Sequence, residues 1–402
     1  MESRRISKCR DNIRVTKSSP NEIIKVSHFV GLSGLGGVQR NFVEYINSQS
    51  DLDNGLLHKV YTLGKVDLQY KILAEVYNVK NLKNLFSLVL DIVSKDNIVH
   101  FYNNLSSPKV ALLLLVLPVS NLIVHERGTA WNLSSKYGFL LRFIAWKATL
   151  ILANSQATKI ILEKKFFIPD TKIKIIHNGI DTSIKCGEKP LTTKAIGTFY
   201  VGFIGRLDTP KGIHVLIEAM HYLTGKNIKL IIAGDGSLKD KLKIQAIGLK
   251  NIQFVGRVKN PLKFLTKIHL LVVPSIREPL GNVCIEAGLC KVPVLASNID
   301  GIPEIIENYV TGELIKPTKP ITFETTVDAM PIPEYVVDPT TQQLCSPMQI
   351  DPSELADRIS TLSQDPERLS QYAEKLHKKV TNYFSISRYA KELRIIYLNL
   401  TS

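Results

Sequence analysis

The stretch Leu270–Gly288, with the sequence LLVVPSIREPLGNVCIEAG, decides the fold. It begins with an apolar run typical of a buried strand, which ends at Pro274, and helical spacing resumes near Gly281. Glu278 is therefore predicted in a strand-to-helix loop and Glu286 in the next helix, with seven residues between them. In open α/β sheets, loops at the carboxyl ends of strands bind ligands, so both carboxylates are candidate ligand contacts. A surface Glu and a helix Glu would explain the pair equally well.

The composition is typical of a soluble globular protein with two domains. At 402 residues the chain exceeds one ordinary core, and 45% of it is hydrophobic and 22% charged. The longest apolar run, Val110–Val119, is too short to cross a membrane. Residues 1–20 are polar and basic and lack the apolar segment of a signal peptide, so we expect a flexible tail there.

The cysteines predict reduced thiols in a cytosolic protein. They are odd in number and include no Cys-x-x-Cys pair, so we expect neither a disulfide framework nor a zinc site. The five residues are Cys9, Cys186, Cys284, Cys290 and Cys345.

Positive charge is concentrated in the first half of the chain. Residues 1–185 hold 25 Lys and Arg against 14 Asp and Glu, a net charge of +11 out of +15 for the whole chain. A basic face attracts the phosphates of nucleic acid or of an anionic lipid surface, although solvated lysine-rich faces are common. Between Trp131 and Ala153, bases are interleaved with aromatic and apolar residues. This pattern suits either a helix on a membrane interface or a core helix with a solvated edge.

Strand and helix patterns alternate in the first half, which favours a parallel sheet covered by helices. The strand Ile23–Val30 leads into Gly34, Gly36 and Gly37 and then into a helical pattern. Such a loop can bring backbone N–H groups to an anion, or it can simply form a tight turn. Another strand ends at His125, which puts an imidazole at the carboxyl edge of the sheet, although isolated histidines are more often structural.

The alternation resumes after a segment of linker composition at residues 182–197. A strand at Phe199–Gly205 is followed by Thr209, the predicted N-cap of a helix. Arg206 and Lys211 flank this turn, and two cations in that position could hold a diphosphate.

Several motifs occur in a definite order along the chain. They are Gly36-Gly37, Asn178-Gly179-Ile180-Asp181, Gly205-Arg206-Leu207 with Lys211-Gly212, Ala233-Gly234-Asp235-Gly236, and Glu278 to Glu286. A cleft that combines an anion-binding loop, cations and carboxylates would suit a nucleotide sugar. The ordered set resembles the retaining glycosyltransferases of family 4, the glycosyl transferases group 1. The resemblance covers residues 23–315 and resumes at Asp351.

The resemblance implies the GT-B fold, an α/β architecture of two Rossmann-like domains that face each other across a cleft. Residues 21–185 would form the acceptor domain, and residues 186–385 the nucleotide-sugar donor domain with an insertion at 317–350. Residues 386–402 would form a helix that packs back on the first domain. The insertion follows no clear period, and a lid, an acceptor contact, a partner surface and disorder are all open for it.

The resemblance also implies a role for each site residue. Arg206 and Lys211 would hold the donor diphosphate and stabilise the departing phosphate, with no metal and no cofactor. Glu278 and His125 would lie at the donor sugar, and Glu286 would bind the ribose. Retention in this family is usually described as same-face attack in which the leaving phosphate takes the acceptor proton, so Glu278 is not assigned as a nucleophile. Further donor contacts would come from Gly36, Gly37, Gly256, Arg257, Pro279, Leu280, Gly281 and Asn282.

The predicted function is transfer of a hexose from a nucleotide diphosphate sugar to a glycan or polyprenyl-linked acceptor in cell-surface polysaccharide or lipopolysaccharide synthesis. We expect a cytoplasmic protein that contacts an anionic membrane peripherally through its first domain and has no nucleic-acid partner. A sugar-nucleotide epimerase or a phosphorylase of the same fold is the alternative enzyme, although no pyridoxal-phosphate lysine is identified. Outside enzymes, the alternative is a non-catalytic nucleotide-sugar-binding module.

Overall fold

Two parallel β-sheets form the frame of the molecule. The computed structural model describes residues 23–34, 36–49, 55–103, 105, 107–187 and 197–401. The first sheet contains β1 (Ile24–Phe29), β2 (Leu56–Thr62), β3 (Val76–Asn78), β4 (Asn97–Tyr102), β5 (Leu122–Glu126), β6 (Leu150–Ala153) and β7 (Ile173–Ile175). Their order across the sheet is β3-β2-β1-β4-β5-β6-β7, and neighbouring strands are parallel.

The second sheet has six strands in the same type of order. It contains β8 (Phe199–Ile204), β9 (Ile228–Ala233), β10 (Ile252–Gly256), β11 (Leu270–Val273), β12 (Val294–Ser297) and β13 (Glu313–Ile315). The order is β10-β9-β8-β11-β12-β13. Strands β4, β5 and β11 are buried at every residue, because helices cover both faces of the sheets.

Helices cover both sheets. Around the first sheet they are α1 (Gly37–Gln49), α2 (Leu82–Val93), α3 (Pro108–Val116), α4 (Gly138–Lys147) and α5 (Gln156–Ile160). The remaining helices are α6 (Ile213–Tyr222), α7 (Lys239–Gln245), α8 (Pro261–Leu265), α9 (Asn282–Leu289), α10 (Ile302–Ile305), α11 (Pro352–Ser363), α12 (Pro366–Tyr383) and α13 (Ile386–Thr401). Side-chain caps explain several starts, such as Ser107 before α3 and Asp351 before Pro352 of α11. No helix in the described ranges is both long and apolar enough to cross a membrane.

The helix predicted to begin at Thr209 begins later, so that prediction is wrong. Thr209–Lys211 is a short 3₁₀ turn, and α6 starts at Ile213 after Gly212, whose φ is +63°. A Cβ on Gly212 would collide with the carbonyl oxygen of Pro274, so this change of direction requires glycine. Lys211 therefore ends a turn that lies against the Leu270–Gly288 stretch.

The carboxyl edges of the two sheets face each other. Gly37 follows β1, and a Cβ on it would lie 2.5 Å from Nδ2 of Asn282 at the start of α9. Gly128 follows β5, and a Cβ there would lie 2.6 Å from Cγ of Pro279 in the loop after β11. Because loops from the carboxyl ends of both sheets touch, the space between them is the expected ligand site of this architecture.

Helix α13 lies on the first sheet, although α12 before it belongs to the second. Tyr389, Leu393 and Tyr397 of α13 are buried in one hydrophobic cluster with Phe42 and Tyr45 of α1. The chain therefore crosses between the two sheets a second time near its end.

The insertion at residues 317–350 is folded, which excludes disorder among the four interpretations left open for it. It contains an antiparallel hairpin of β14 (Val336–Asp338) and β15 (Gln343–Cys345). Lys319 and Gln349 pair at its base. Residues 1–20, predicted as a flexible tail, lie outside the described residues.

The expectation of reduced cysteines is wrong for one pair. A disulfide joins Cys186 to Cys290, which directly follows α9, and their Cα atoms are 5.2 Å apart. The cysteines are 104 residues apart in sequence, so spacing rules for local motifs could not pair them.

Candidate active site

Glu278 lies in the loop between β11 and α9, with 8% of its surface exposed. Its Oε2 accepts a hydrogen bond from Lys211 Nζ at 2.5 Å and lies 3.4 Å from the Ser275 hydroxyl. Gly281, with a φ of +102°, turns the loop into α9. The structure therefore brings together Glu278 and Lys211, two residues that the sequence placed in one site.

Arg206 is an accessible residue among those predicted for the site. Its side chain is 61% exposed, and its Nε lies 3.8 Å from Asp208 Oδ2. Burial lowers the pKa of Arg277 in the Glu278 loop, and the positive charge of Arg206 lowers it further. The two guanidinium groups therefore lie in the same region. A largely exposed cation beside a paired lysine can accept an anionic ligand.

Glu286 lies in a cavity between the two sheets. Its Oε1 accepts a hydrogen bond from Arg40 Nη1 of α1 at 2.9 Å, and burial raises its pKa while Arg40 opposes the rise. The cavity is open to solvent. It is lined by Gly37, Arg40, Asn41, Glu44, Gly179, Ile180, Asn282, Ile285 and Glu286.

Among the predicted donor contacts around the start of α9, Asn282 lines this cavity. Pro279 contacts the Gly128 loop, and Leu280 is buried. Asn282 Oδ1 accepts a hydrogen bond of 2.6 Å from Asn178 Nδ2 across the cleft. Gly36 lies just before α1, close to the side chain of Gln39.

The Gly256–Arg257 turn lies at the edge of the cleft. Gly256 has a φ of +71°, and Arg257 is exposed. The hydrogen bond from Lys239 is the main cause of the lowered pKa of Asp235, and the charge of Arg257 adds to it. Burial raises the pKa of Tyr70, and the charge of Arg257 slightly opposes that rise. Tyr70 belongs to the first half of the chain, so the charge of Arg257 acts on residues of both halves.

The arrangement supplies two cations, a buried carboxylate and a second carboxylate at one cleft. Such a set can bind a diphosphate and neutralise charge that develops on it. Among the described residues, no group of three His, Cys, Asp or Glu side chains is arranged to hold a metal ion.

Two family models match consecutive parts of the chain. The model described as Glycosyltransferase Family 4 matches residues 78–184, and the one described as Glycosyl transferases group 1 matches residues 188–330. The chain belongs to the family 4 glycosyltransferases. Its two facing parallel sheets form the GT-B fold, as predicted.

Similar proteins include glycosyltransferases of bacteria and archaea. This glycosyltransferase is 33% identical over 198 residues to an uncharacterized glycosyltransferase of Methanocaldococcus jannaschii, a match that covers 46% of this chain and about half (51%) of the relative. It is 24% identical over 323 residues to CapM of Staphylococcus aureus, a capsular polysaccharide biosynthesis glycosyltransferase, with 73% of this chain and 83% of CapM covered. HepE of Anabaena, solved with UDP and glucose, shares the fold at a TM-score of 0.69 and 20% identity, with 92% of this chain and 98% of HepE covered.

Arg127 supports the wall of the cavity, and it was not predicted from the sequence. It follows β5, is buried, and donates through Nη2 to the side-chain oxygens of Asn41 and Asn178. It therefore supports two residues at the cavity wall, one in α1 and one in the Asn178–Asp181 motif. Its position two residues after His125, at the same strand end, was the available signal, but the histidine was assigned to the site instead.

Glu44 is the second residue that was missed. It lines the cavity, accepts a hydrogen bond of 3.2 Å from the Asp181 backbone N–H, and has a pKa raised to about 7, chiefly by burial. In the sequence it is one polar residue on a helix. No local pattern distinguishes it from a solvated glutamate.

His125 does not reach the cavity in this structure. Its side chain is fully buried on the α13 side of the first sheet, where its ring stacks on His100 at 5.5 Å between centroids. Burial lowers its pKa well below the usual range, and neither ring nitrogen has a hydrogen-bond partner among the described residues. His28, His58, His100 and His125 form a group that we call the histidine cluster.

Proposed function

We propose that this chain is a retaining glycosyltransferase that moves a hexose from a nucleotide diphosphate sugar to a glycan or polyprenyl-linked acceptor. The contact of Lys211 with Glu278, beside the exposed Arg206, carries the proposal because it joins a diphosphate-binding group to a carboxylate at one cleft. HepE was solved with UDP and glucose, which supports a nucleotide-sugar donor. CapM acts in capsular polysaccharide biosynthesis, which supports a cell-surface polysaccharide or lipopolysaccharide as the product.

In the proposed reaction, the bond from the sugar C1 to the β-phosphate oxygen breaks as the acceptor oxygen bonds C1 from the same face. The departing phosphate takes the acceptor proton. Arg206 and Lys211 neutralise the charge on that phosphate without a metal, and Glu278 faces the positive charge that develops on the sugar. Glu286 binds the ribose, and its Oε1 also accepts the hydrogen bond from Arg40.

We assign the acceptor to residues 21–185 and the donor to residues 186–385, with the helix at 386–402 attached to the acceptor domain. The predicted diphosphate and sugar contacts Arg206, Lys211 and Glu278 all follow strands of the second sheet, which supports the assignment of the donor. The burial of α13 against α1 supports the assignment of the terminal helix.

The first test identifies the donor. Thermal shifts with UDP-, GDP- and ADP-sugars should reveal one base that raises the unfolding temperature. Calorimetry with that donor should then show at least a tenfold loss of affinity in Lys211→Ala and Glu286→Ala, since each loses a charged hydrogen bond. Lys263→Ala, at an exposed lysine of α8, is the matched control. Unchanged affinity in both site variants would remove the donor-site assignment.

Turnover separates Glu278 from the binding residues. Glu278→Ala should lower kcat by about 10²- to 10³-fold, because a group that faces developing charge acts mainly in the transition state. Donor affinity should change much less than kcat. Full activity in this variant would refute the role given to Glu278.

We also propose a peripheral contact with the cytoplasmic face of an anionic membrane through α3 and α4, which pack on each other. Leu112, Leu115 and Val116 of α3 and Phe139 and Trp146 of α4 are more than 60% exposed. Lys136, Arg142 and Lys147 lie beside them in the sequence, so apolar side chains and bases share this part of the domain.

Vesicle sedimentation tests this contact. Binding to vesicles with about 30% phosphatidylserine should be strong at low ionic strength and should weaken as salt screens the bases. Trp146→Ala should weaken it further, and neutral phosphatidylcholine vesicles are the control. No binding to the anionic vesicles at low salt would refute the contact.

A further inference from the structure

The hairpin of β14 and β15 is wedged between the two domains. Val336 is fully buried in the hydrophobic cluster of the second sheet, and the next residue, Val337, is buried in that of the first. On the first-domain side, Glu334 Oε2 accepts hydrogen bonds from the backbone N–H and the hydroxyl of Ser135 at 3.1 and 2.7 Å. Lys164 Nζ donates to the Gln342 carbonyl at 2.8 Å. The hairpin therefore contacts both walls of the cleft.

Asp300 connects this hairpin to the Glu278 loop. Its Oδ1 accepts a hydrogen bond from the Val337 backbone N–H at 2.7 Å, and its own N–H donates to the Val337 carbonyl at 3.0 Å. Its Oδ2 accepts a hydrogen bond from the Glu278 backbone N–H at 2.9 Å. Gly301 N–H donates to the Glu278 carbonyl at 3.1 Å. The peptide groups of Glu278 are thus held on both sides by two consecutive residues.

Asp300 has a backbone conformation that favours glycine, so its side chain must compensate for that cost. Its φ is +47°, in the left-handed region that glycine adopts without strain. The carboxylate is also buried, which raises its pKa to about 7, although the two N–H donors and Arg277 oppose the rise and Glu278 adds to it. The two hydrogen bonds that the carboxylate accepts, together with the charge of Arg277, offset these costs.

We propose that Asp300 is a positioning residue that ties Glu278 to the insertion hairpin, so that the seated hairpin holds Glu278 in place for glycosyl transfer. The inference rests on the proposed function for the role of Glu278. The tie itself depends only on the hydrogen bonds of Asp300 and can be tested without any substrate.

Two variants remove the tie in different ways. Asp300→Asn keeps the shape and tolerates the left-handed backbone, but its amide nitrogen must face one of the two N–H donors. Asp300→Gly relieves the backbone and removes both acceptors, so it guards against a variant that fails only through strain. Asp338→Asn is the matched control, because its carboxylate accepts the Thr340 and Thr341 N–H groups within the same hairpin.

Hydrogen–deuterium exchange of the full chain is the first measurement. Peptides that contain Glu278 should exchange about tenfold faster in both Asp300 variants, while Asp338→Asn should match the wild type. Unchanged exchange at Glu278 in both Asp300 variants would overturn the proposal, whatever the activity.

Kinetics with the identified donor are the second measurement. Both Asp300 variants should lower kcat about 10- to 100-fold while the donor Kd changes less than about threefold, a split that general damage would not give. Equal losses in kcat and donor affinity, or wild-type kcat where Glu278→Ala is impaired, would overturn the positioning role. If Glu278→Ala retains full kcat, the proposed function loses its assignment of Glu278, and the exchange result still decides whether Asp300 holds the loop.

Discussion

Acidification is expected to destabilise the first domain less when His58 is replaced by glutamine. His58 belongs to the histidine cluster, and its Nδ1 lies 2.9 Å from His28 Nε2. Burial lowers its pKa from 6.5 to about 4, so the folded protein keeps the ring neutral where the unfolded chain would protonate it. A group with a lowered folded pKa stabilises the fold above its unfolded pKa. That stability is lost as the pH falls from about 6.5 towards about 4.

The magnitude follows from the two pKa values. At about pH 5.0 the unfolded histidine is almost fully protonated and the folded one is mostly neutral, so this residue costs about 2 kcal/mol of unfolding free energy relative to about pH 7.5. His58→Gln has no proton to bind at this position. The stability difference between the two proteins should therefore shift by about 2 kcal/mol in favour of the variant over this pH range.

Urea unfolding monitored by tryptophan fluorescence measures this difference. The chain has two tryptophans, Trp131 and Trp146, and both lie in the first half of the chain, so the signal reports the domain that contains the cluster. Glu44 and Asp300 have raised pKa values of about 7 and gain stability as the pH falls, but they are present in both proteins and cancel in the comparison. His221→Gln, at an exposed histidine of α6, is the control.

Parallel behaviour would refute the reasoning. If the wild type and His58→Gln lose the same unfolding free energy between the two pH values, within about 0.5 kcal/mol, then His58 does not stay neutral in the fold. If the reasoning is right, His58→Gln should lose less unfolding free energy on acidification than the wild type does, and His221→Gln should behave like the wild type.

Two further outcomes follow from the structure. Glu44 should become ionised as the pH rises through about 7 and should then repel an anionic donor, so donor affinity measured by calorimetry should fall over that range in the wild type and stay flat in Glu44→Gln. An equally steep fall in the variant would show that another group titrates. Gly179→Ala should destabilise the protein by about 1–3 kcal/mol in urea unfolding, because a Cβ there would lie 2.8 Å from both Ile386 Cα and Tyr389 Cβ of α13. Gly187→Ala is the control, because a Cβ there meets no described residue within 4 Å, and equal midpoints for the two would contradict this packing.

The parts of the site that could be predicted are those built from neighbours in sequence. The strand β11, its loop and α9 follow from one apolar run, one proline and a resumed helical period. The start of α6 was predicted too early, because Thr209 and Pro210 have the residue types of a helix start. The close approach of Gly212 to Pro274, which delays the helix, is a tertiary contact. Cap residues report local preference, and a packed neighbour overrides it.

The partners of the site residues could not be predicted, because they come from distant positions. Glu286 pairs with Arg40, 246 residues away, and Asp300 joins Glu278 to an insertion with no periodic pattern. His125 shows the converse, since its position at a strand end suggested the cleft. In a strand, successive side chains point to opposite faces, and packing decides which face is the core. The side chain of His125 packs on the face of the sheet that α13 covers.

The sequence by itself determined the two α/β sheets, the turns that carry Arg206, Lys211 and Glu278, and the helix that carries Glu286. Those features depend on periodicity, turn residues and the order of motifs, which are local properties of the chain. Only the tertiary structure decided that Glu44 lines the cavity, that Arg127 binds Asn178, that Cys186 bonds to Cys290, and that the insertion reaches both domains. The physical reason is that each of these contacts arises from packing between elements far apart in sequence, and no local pattern encodes which surfaces will meet.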